Sequence, residues 1–263
     1  MSRVPPIPDP LECVLFDAVD TLLAPAPSFQ GRFVAVAAEH GVPLEEAAVD
    51  AALAAAAREA AWPEDWTDPA TQRAFWLGFY TDVLGSLGHD GGAEGSGEPP
   101  RGAPVDREGS GEPQGGAPVH QGLAEALFQA FSDPAGYQLF DDVRPALDEL
   151  AGRGITLGLV SNFEPWLDEV LALQGIADRF AAVAVSGRLG VAKPDPRIFK
   201  AALDDAGADP GATVHVGDQP VNDVAGARAA GITPVLIDRF GRHPDADGAH
   251  RVEDLRGLLE LVG

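Results

Sequence analysis

The sequence predicts an α/β protein: a doubly wound parallel sheet, interrupted once by an all-helical insertion. Three observations predict it. From Asp142 to the C-terminus, short apolar runs alternate with stretches of helical periodicity, the pattern of a parallel sheet covered on both faces by right-handed crossovers. Near the N-terminus a lone apolar run, Val14-Leu15-Phe16, reads as a buried parallel strand, too short and too apolar for an exposed one. Polar residues stand where strands end: Asp17, Ser161-Asn162, Lys193, and Gly217-Asp218 with Asn222-Asp223. That is the edge at which open α/β sheets place their chemistry.

The elements follow in order. Phe29 to His40 reads as one helix. Leu44 to Ala61 is an alanine-rich second, stopped by Pro63. Pro69 to Leu87 is a third; at helical spacing its Trp76, Phe79 and Tyr80 read as insertion core rather than as the wall of a substrate pocket. In Asp90 to Gly122, 15 of 33 residues are Gly or Pro, so ordering the backbone is costly and few apolar groups offset it. Gly95 to Val105 recurs as Gly109 to Val119 with a period of 14, too short and too polar for a solenoid unit. The segment reads as a duplicated, disordered loop. Helix resumes at Leu123 to Phe131.

Val143, Ala146, Leu147 and Leu150 then fall on one helical face behind an Asp142 cap, and Gly154 closes that helix. Strands are expected at Ile155–Val160, Ala181–Val185, Val214–Val216 and Pro234–Ile237. Helices are expected at Trp166–Leu173, Pro196–Ala206, Val224–Ala230 and Val252–Leu261. The helical insertion suggests a cap over the carboxyl edge of the sheet.

Composition narrows the partners. The chain has 263 residues, enough for one core plus a smaller inserted domain, and an apolar fraction of 45% that is ordinary for a globular protein. Its formal net charge of -23 repels nucleic acid, and an anionic substrate needs local cations. Lysine occurs only at Lys193 and Lys200, which makes Lys193 notable. The single cysteine, Cys13, allows no internal disulfide and no thiol-rich metal site, and reads as a small buried hydrophobe. No apolar stretch is long enough to span a membrane, and the N-terminal residues lack the apolar core of a signal peptide. The expectation is a cytoplasmic monomer or homodimer with no membrane or nucleic-acid partner.

The acids carry the chemistry. If the first and fourth strands are neighbours, Asp17, Asp218 and Asp223 converge. Two like charges at about 4 Å repel by several kcal/mol at intermediate dielectric, so either some are protonated or a cation lies between them. Oxygen-only ligands suit Mg²⁺. No histidine pair has zinc spacing, and His215, inside the fourth strand, reads as a packed strand residue. Ser161 offers a hydroxyl, and the turn Ser161-Asn162-Phe163, opening a helix, offers backbone N–H groups to an anion. Lys193 adds a positive charge. Together they suit a tetrahedral anion, with Asp17 as a carboxylate nucleophile. Singly, each has a plainer reading: Ser161 a helix cap, Lys193 a solvated loop charge, Asp223 an acid complementing a helix dipole.

These motifs resemble a known family. Asp17-x-x-x-Thr21, Ser161, Lys193-Pro194 and Gly217-Asp218-x-x-x-Asn222-Asp223 match the four motifs of the haloacid dehalogenase-like hydrolase superfamily, over the whole chain apart from the Gly/Pro loop. More narrowly, Asp17 to Leu23, Ser161-Asn-Phe163, Lys193 to Phe199 and His215-Val-Gly-Asp218 look like the haloacid dehalogenase-like hydrolase domain-containing protein three group. The resemblance implies a Rossmann-like core over 1–23 and 139–263 and a helical cap, of the subfamily I type, over 24–138 containing the 90–122 loop. It implies that Asp17 is nucleophile and Mg²⁺ ligand. The Val19 carbonyl, Asp218 and Asp223 complete the metal site. Thr21, Ser161, Asn162 and Lys193 bind the phosphoryl group of a small phosphorylated metabolite, and Lys193 joins Asp17 in catalysis.

One position departs from the family. Its phosphatases carry a second Asp, the general acid/base, two residues after the nucleophile; here Val19 keeps only the carbonyl. General acid–base catalysis contributes about 10² to 10⁴-fold, roughly 3 to 5 kcal/mol of barrier. Asp20 is an adjacent substitute, although fixing the turn is its plainer role. Haloacid dehalogenases also lack the second Asp but need no metal and generally lack the Gly-Asp pair. Phosphonate hydrolases use a cap lysine, and 24–140 contains none. A weakly catalytic binding or scaffold protein on the same fold is the third alternative. The expectation is a Mg²⁺-dependent phosphatase working through an aspartyl-phosphate intermediate.

Overall fold

The computed structural model describes residues 4–61, 63, 66–89, 119–244 and 247–263. Its elements in chain order are β1 (Cys13–Phe16), β2 (Leu23–Pro25), α1 (Phe29–Glu39), α2 (Glu46–Glu59), α3 (Pro69–Ser86), α4 (Val119–Phe131), β3 (Tyr137–Leu139), α5 (Val143–Gly152), β4 (Thr156–Ser161), α6 (Leu167–Leu173), β5 (Ala182–Val185), α7 (Ser186–Leu189), α8 (Pro196–Ala206), β6 (Thr213–Gly217), α9 (Gly226–Ala229), β7 (Thr233–Ile237), β8 (His250–Val252) and α10 (Leu255–Leu261).

β1 is apolar at every position because both its faces are buried. Val14 and Phe16 pack in one layer with Val143, Leu147 and Leu150 of α5 and with Leu255 and Leu258 of α10. Cys13 and Leu15 pack in the other with Ile198, Phe199, Ala202 and Leu203 of α8. Each large apolar side chain removed from water contributes about 1.5–3 kcal/mol. Burial pushes the Cys13 thiol up to about 11, with a hydrogen bond from Thr213 opposing, so it is an inert hydrophobe.

Among the described residues the sheet has six strands in the order β5-β4-β1-β6-β7-β8, all pairs parallel. The chain thus builds leftward from β1 and then rightward, the strand order of a Rossmann-like doubly wound sheet. Its switch point lies between β1 and β6, which pair from Cys13↔Thr213 to Phe16↔Val216.

α8 shows how local chemistry sets an element. Asp195 caps it by accepting from the Arg197 N–H, Pro196 occupies its first turn, and Gly207 ends it at φ 64. Its apolar positions Ile198, Phe199, Ala202 and Leu203 form one buried stripe. Asp195→Ala would remove the cap at a cost of about 1 kcal/mol.

The described residues divide into two compact units, one drawn from 4–29, 63, 66–74, 131–244 and 247–263, the other from 30–61, 75–89 and 119–130. In the helical unit Phe33, Val49, Tyr80, Val83, Leu84, Leu123 and Leu127 are buried. Phe79 and Tyr80 are core, and Trp76, half-buried, stacks on Tyr80 at 5.9 Å. Among the described residues no helix is long and apolar enough to cross a membrane.

Several expectations change. Beside the division expected at 23/24 and 138/139, the sheet-bearing unit takes in β2 and β3, which form a short antiparallel ribbon, Leu23↔Leu139 to Pro25↔Tyr137. Of the expected loop, 119–122 is helical and 90–118 lies outside the described residues. The closing helix starts at Leu255, not Val252: Val252 is in β8 against Ile237, and Asp254 caps the helix by accepting from the Gly257 N–H. Asp142 makes no side-chain cap on α5; its Oδ2 accepts from the Leu255 N–H (2.7 Å) and pairs with Arg239. The helix expected from Val224 begins as wider π-type turns over Pro220–Ala225, before α9.

Candidate active site

Asp17 follows β1 directly, and its N–H donates to the Val216 carbonyl of β6 at 2.8 Å. Asp218 follows β6. The two acids therefore stand side by side at the switch point, because β1 and β6 are adjacent and end together. Asp223 returns to them from the π-type turns, and Gly217 makes room: a Cβ there would collide with the Asp223 carboxyl group. One oxygen from each of Asp17, Asp218 and Asp223 lies within 4.8 Å of the others.

Lys193 joins two of them. Its Nζ donates to Asp17 Oδ1 and to Asp223 Oδ1, both at 2.6 Å. Ser161 Oγ donates to the same Asp17 Oδ1 at 3.2 Å. Asp223 Oδ1 also accepts from His215 Nε2 (2.9 Å), and Oδ2 accepts from the Gln219 N–H (2.9 Å). Lys193, Asp223 and Asp17 are 5%, 1% and 7% exposed, so solvent screens these charges weakly.

Burial and charge pull the groups apart. Burial pushes Asp218 well above the usual carboxylate range, and Asp17, Asp223 and Asp20 push it further. Burial raises Asp17 too, against the pull of Lys193. Burial would raise Asp223, but Lys193 and the His215 bond outweigh it and hold its carboxylate ionised. Desolvation disfavours the Lys193 ammonium, yet Asp17 and Asp223 raise its pKa above the ordinary value. One ammonium thus faces three acids, and Asp218 is bonded to none of the site's donors: among the described residues its buried Oδ1 has no hydrogen-bond partner. An all-oxygen donor set with surplus negative charge fits a hard divalent cation.

The cleft is lined by Asp17, Val19, Asp20, Ser161, Asn162, Lys193, Asp218, Gln219 and Asn222. It is open to solvent.

Other expected residues sit differently. Lys193 is not at a strand end but in the loop between α7 and α8. Asn162 accepts from the Lys193 N–H (2.7 Å) and donates to the Lys193 carbonyl (3.0 Å), so its carboxamide straps that loop to β4. The turn 161–163 opens no helix, since α6 begins at Leu167, and the Phe163 N–H donates to Ser186 Oγ (3.1 Å). Thr21 is fully buried and does not line the cleft; its Oγ1 has no partner among the described residues. Val19 brings no acid to the wall. The Asp20 carboxylate binds Arg242 Nη1 at 2.9 Å, while its N–H closes the turn onto the Leu23 carbonyl (2.7 Å). Burial raises the Asp20 pKa and Arg242 opposes.

Sequence reasoning missed the His215–Asp223 bond, the Gln219 N–H and the Arg239 and Arg242 contacts. His215 is buried and meets Phe199 edge-on at 5.0 Å, so packing was legible but the partner of its ring nitrogen was not.

The chain is similar to known proteins. A family model for haloacid dehalogenase-like hydrolase matches residues 11–231. The chain is 36% identical over 255 residues to a phosphoserine phosphatase of Thermus thermophilus, covering 95% of this chain and 98% of that protein. It is 29% identical over 260 residues to haloacid dehalogenase-like hydrolase domain-containing protein 3 of Danio rerio, covering 95% of each. Among solved structures, a 2-haloacid dehalogenase of Pseudomonas syringae pv. tomato superimposes with a TM-score of 0.53 at 27% identity, covering 96% of this chain and 98% of that one.

Proposed function

The chain belongs to the haloacid dehalogenase-like hydrolase family, and on that premise we propose that it is a Mg²⁺-dependent phosphatase of a small phosphorylated metabolite. The observation that carries this reading is the uncompensated Asp218: a buried carboxylate oxygen without a partner among the described residues, beside two more acids and one ammonium. Halide displacement has no use for that surplus of carboxylates, whereas a metal-assisted phosphoryl transfer does. The similarity to a phosphoserine phosphatase over nearly the full length of both chains supports the same reading.

Asp17, Asp218 and the Val19 carbonyl would hold the ion. Asp223 adds its charge while its own oxygens are bonded to Lys193, His215 and the Gln219 N–H. When bound, Mg²⁺ would neutralise the cluster and stabilise charge on the phosphoryl oxygens.

The chain's own groups do the rest. Asp17 Oδ2 stands outside the Lys193 and Ser161 bonds, which both fall on Oδ1. Oδ2 attacks phosphorus, the ester P–O bond breaks with its electron pair leaving on the alcohol oxygen, and an acyl phosphate forms on Asp17. The leaving oxygen takes its proton from solvent; water then attacks phosphorus, the acyl P–O bond breaks with its electron pair returning to Asp17, and inorganic phosphate and a proton pass to solvent, restoring the carboxylate. Lys193, fixed by Asn162, and Ser161 orient Asp17 and face the anion. At Val19 no acid protonates the leaving oxygen, and Asp20 is paired with Arg242. This enzyme therefore runs slower, by about 10² to 10⁴-fold, than one with an acid at that position.

Incubation with Mg²⁺ and a panel of phosphate esters tests the reading. Phosphate release should fall by about 10⁴-fold or more in Asp17→Asn and vanish with a chelator. Release unaffected by either overturns it, and metal-independent chloride release from 2-chloropropionate would replace it with dehalogenation.

A further inference from the structure

We propose that Arg239 is a positioning residue that, through the Thr21 carbonyl, holds the Asp17–Leu23 turn in its working conformation. Arg239 follows β7. Its Nε and Nη2 both donate to the Thr21 carbonyl, at 3.1 and 2.8 Å. Its Nη1 lies 3.0 Å from Asp142 Oδ2, and its guanidinium sits 4.1 Å over the Phe140 ring. The side chain is 8% exposed, so its donors are committed to these partners. The Phe140 N–H in turn holds the neighbouring Leu22 carbonyl at 3.1 Å. Arg242, on the same segment, reaches the Asp20 carboxylate at 2.9 Å. The segment is itself anchored, since Asp238 accepts from the Arg242 N–H (2.7 Å) and the His243 N–H (3.0 Å).

The turn needs holding. Asp20 has φ 60, alone with a positive φ among described non-glycine residues. That left-handed conformation is unfavourable for a residue with a Cβ and persists only where the surroundings over-determine it. The bonds inside the turn, from the Leu22 and Leu23 N–H groups to the Ala18 carbonyl at 2.8 Å, close it on itself. Arg239 joins it to the rest of the sheet's carboxyl edge. This matters because Val19 and Asp20 line the cleft and Asp17 begins the turn.

Arg239 has a second, separable contact. Asp142 Oδ2 also accepts from the Leu255 N–H (2.7 Å), so the Nη1 side of the guanidinium joins the starts of α5 and α10 rather than the turn. Two variants split the contacts. Arg239→Lys keeps the charge but loses the forked pair of bonds to Thr21. Asp142→Asn removes the charge opposite Nη1 and leaves the Thr21 bonds in place.

The test measures melting temperature, kcat and KM for p-nitrophenyl phosphate with Mg²⁺, and amide hydrogen exchange in the metal-free protein. Only the kinetic arm rests on the phosphatase reading. Arg239→Lys should lower kcat about 10- to 100-fold with KM changed less than about threefold, and the Leu22 and Leu23 amides should exchange about tenfold faster. Asp142→Asn should lower the melting temperature while kcat and exchange in the turn stay at wild-type values. Activity lost in proportion to melting temperature in both variants, or exchange in the turn unchanged in Arg239→Lys, overturns the proposal. If the wild type hydrolyses no phosphate ester, the phosphatase reading fails and the exchange result alone decides the role of Arg239.

Discussion

Two clusters of buried acid sit at the carboxyl edge of the sheet, and they are built to opposite ends. Around Asp238, burial alone would raise the carboxyl pKa. The His243 N–H, Arg251 and the Arg242 N–H outweigh it and hold the group below the usual range. Every charge there is answered. Around Asp218 it is not: the single ammonium of Lys193 is taken by Asp17 and Asp223, and an Asp218 oxygen is left buried without a partner among the described residues. Saturated carboxylates brace a loop, whereas a deficit of positive charge, kept at a cost to stability, marks a place prepared for a ligand.

The sharpest way to break this contrast is Lys193→Met. It leaves two nearly buried carboxylates without their counter-ion, and breaking such a pair costs about 3–5 kcal/mol. Chemical denaturation of the metal-free protein should show that loss; a variant as stable as the wild type would mean the acids are already neutral or hydrated. Next in size is the metal itself. Mg²⁺ at about 100 times its dissociation constant should stabilise the wild type by about 2.7 kcal/mol, and Asp218→Asn should abolish the shift. Asp238→Asn sets the other limb of the comparison: a loss of about 1–3 kcal/mol that Mg²⁺ does not restore.

A pH series separates the clusters further. The Asp218 pKa is raised in the folded state, so the native protein binds more protons than the unfolded chain between the ordinary carboxylate value and the raised one. The stabilisation is therefore complete below about pH 4 and is lost as pH rises through the folded value. With chelator present, wild type should fall behind Asp218→Asn by a few °C as pH rises from 4, and added Mg²⁺ should close the gap. Asp238 runs the other way: its pKa is lowered, so its contribution is present above the ordinary value and lost in acid.

The smallest effect belongs to the other lysine. Lys200 pairs with Asp204 at 2.7 Å on an exposed helix face. Lys200→Ala should change stability by less than about 0.5 kcal/mol. Breaking an ion pair costs little in water and much in a buried cleft, where the group left behind stays uncompensated.

Much of this was legible in the chain. Val14–Phe16 could be read as a doubly buried strand because no polar residue interrupts it. The helical stripe of Pro196–Ala206 matched α8 to the residue, since its cap, its proline and its glycine are all local signals. Asp17 and Asp218 were legible as a pair because each follows an apolar run. The three-residue pairings were not: β2, β3 and β8 are too short to show a period, and only their partners make them strands. Asp142 stands where a helix cap belongs, yet its carboxylate turns to Leu255 and Arg239, a choice invisible without both.

The order of residues by itself settled the alternation of strand and helix, the apolar faces and the placing of acids beside strand ends, because these depend on neighbours a few positions apart. Only the tertiary structure decided that β1 lies between β4 and β6, that Lys193 meets Asp17 across 176 positions, and that Arg239 reaches Thr21 across 218. Such meetings are set by the packing of the whole sheet, whose free energy is shared among every strand and helix and is written in no single segment.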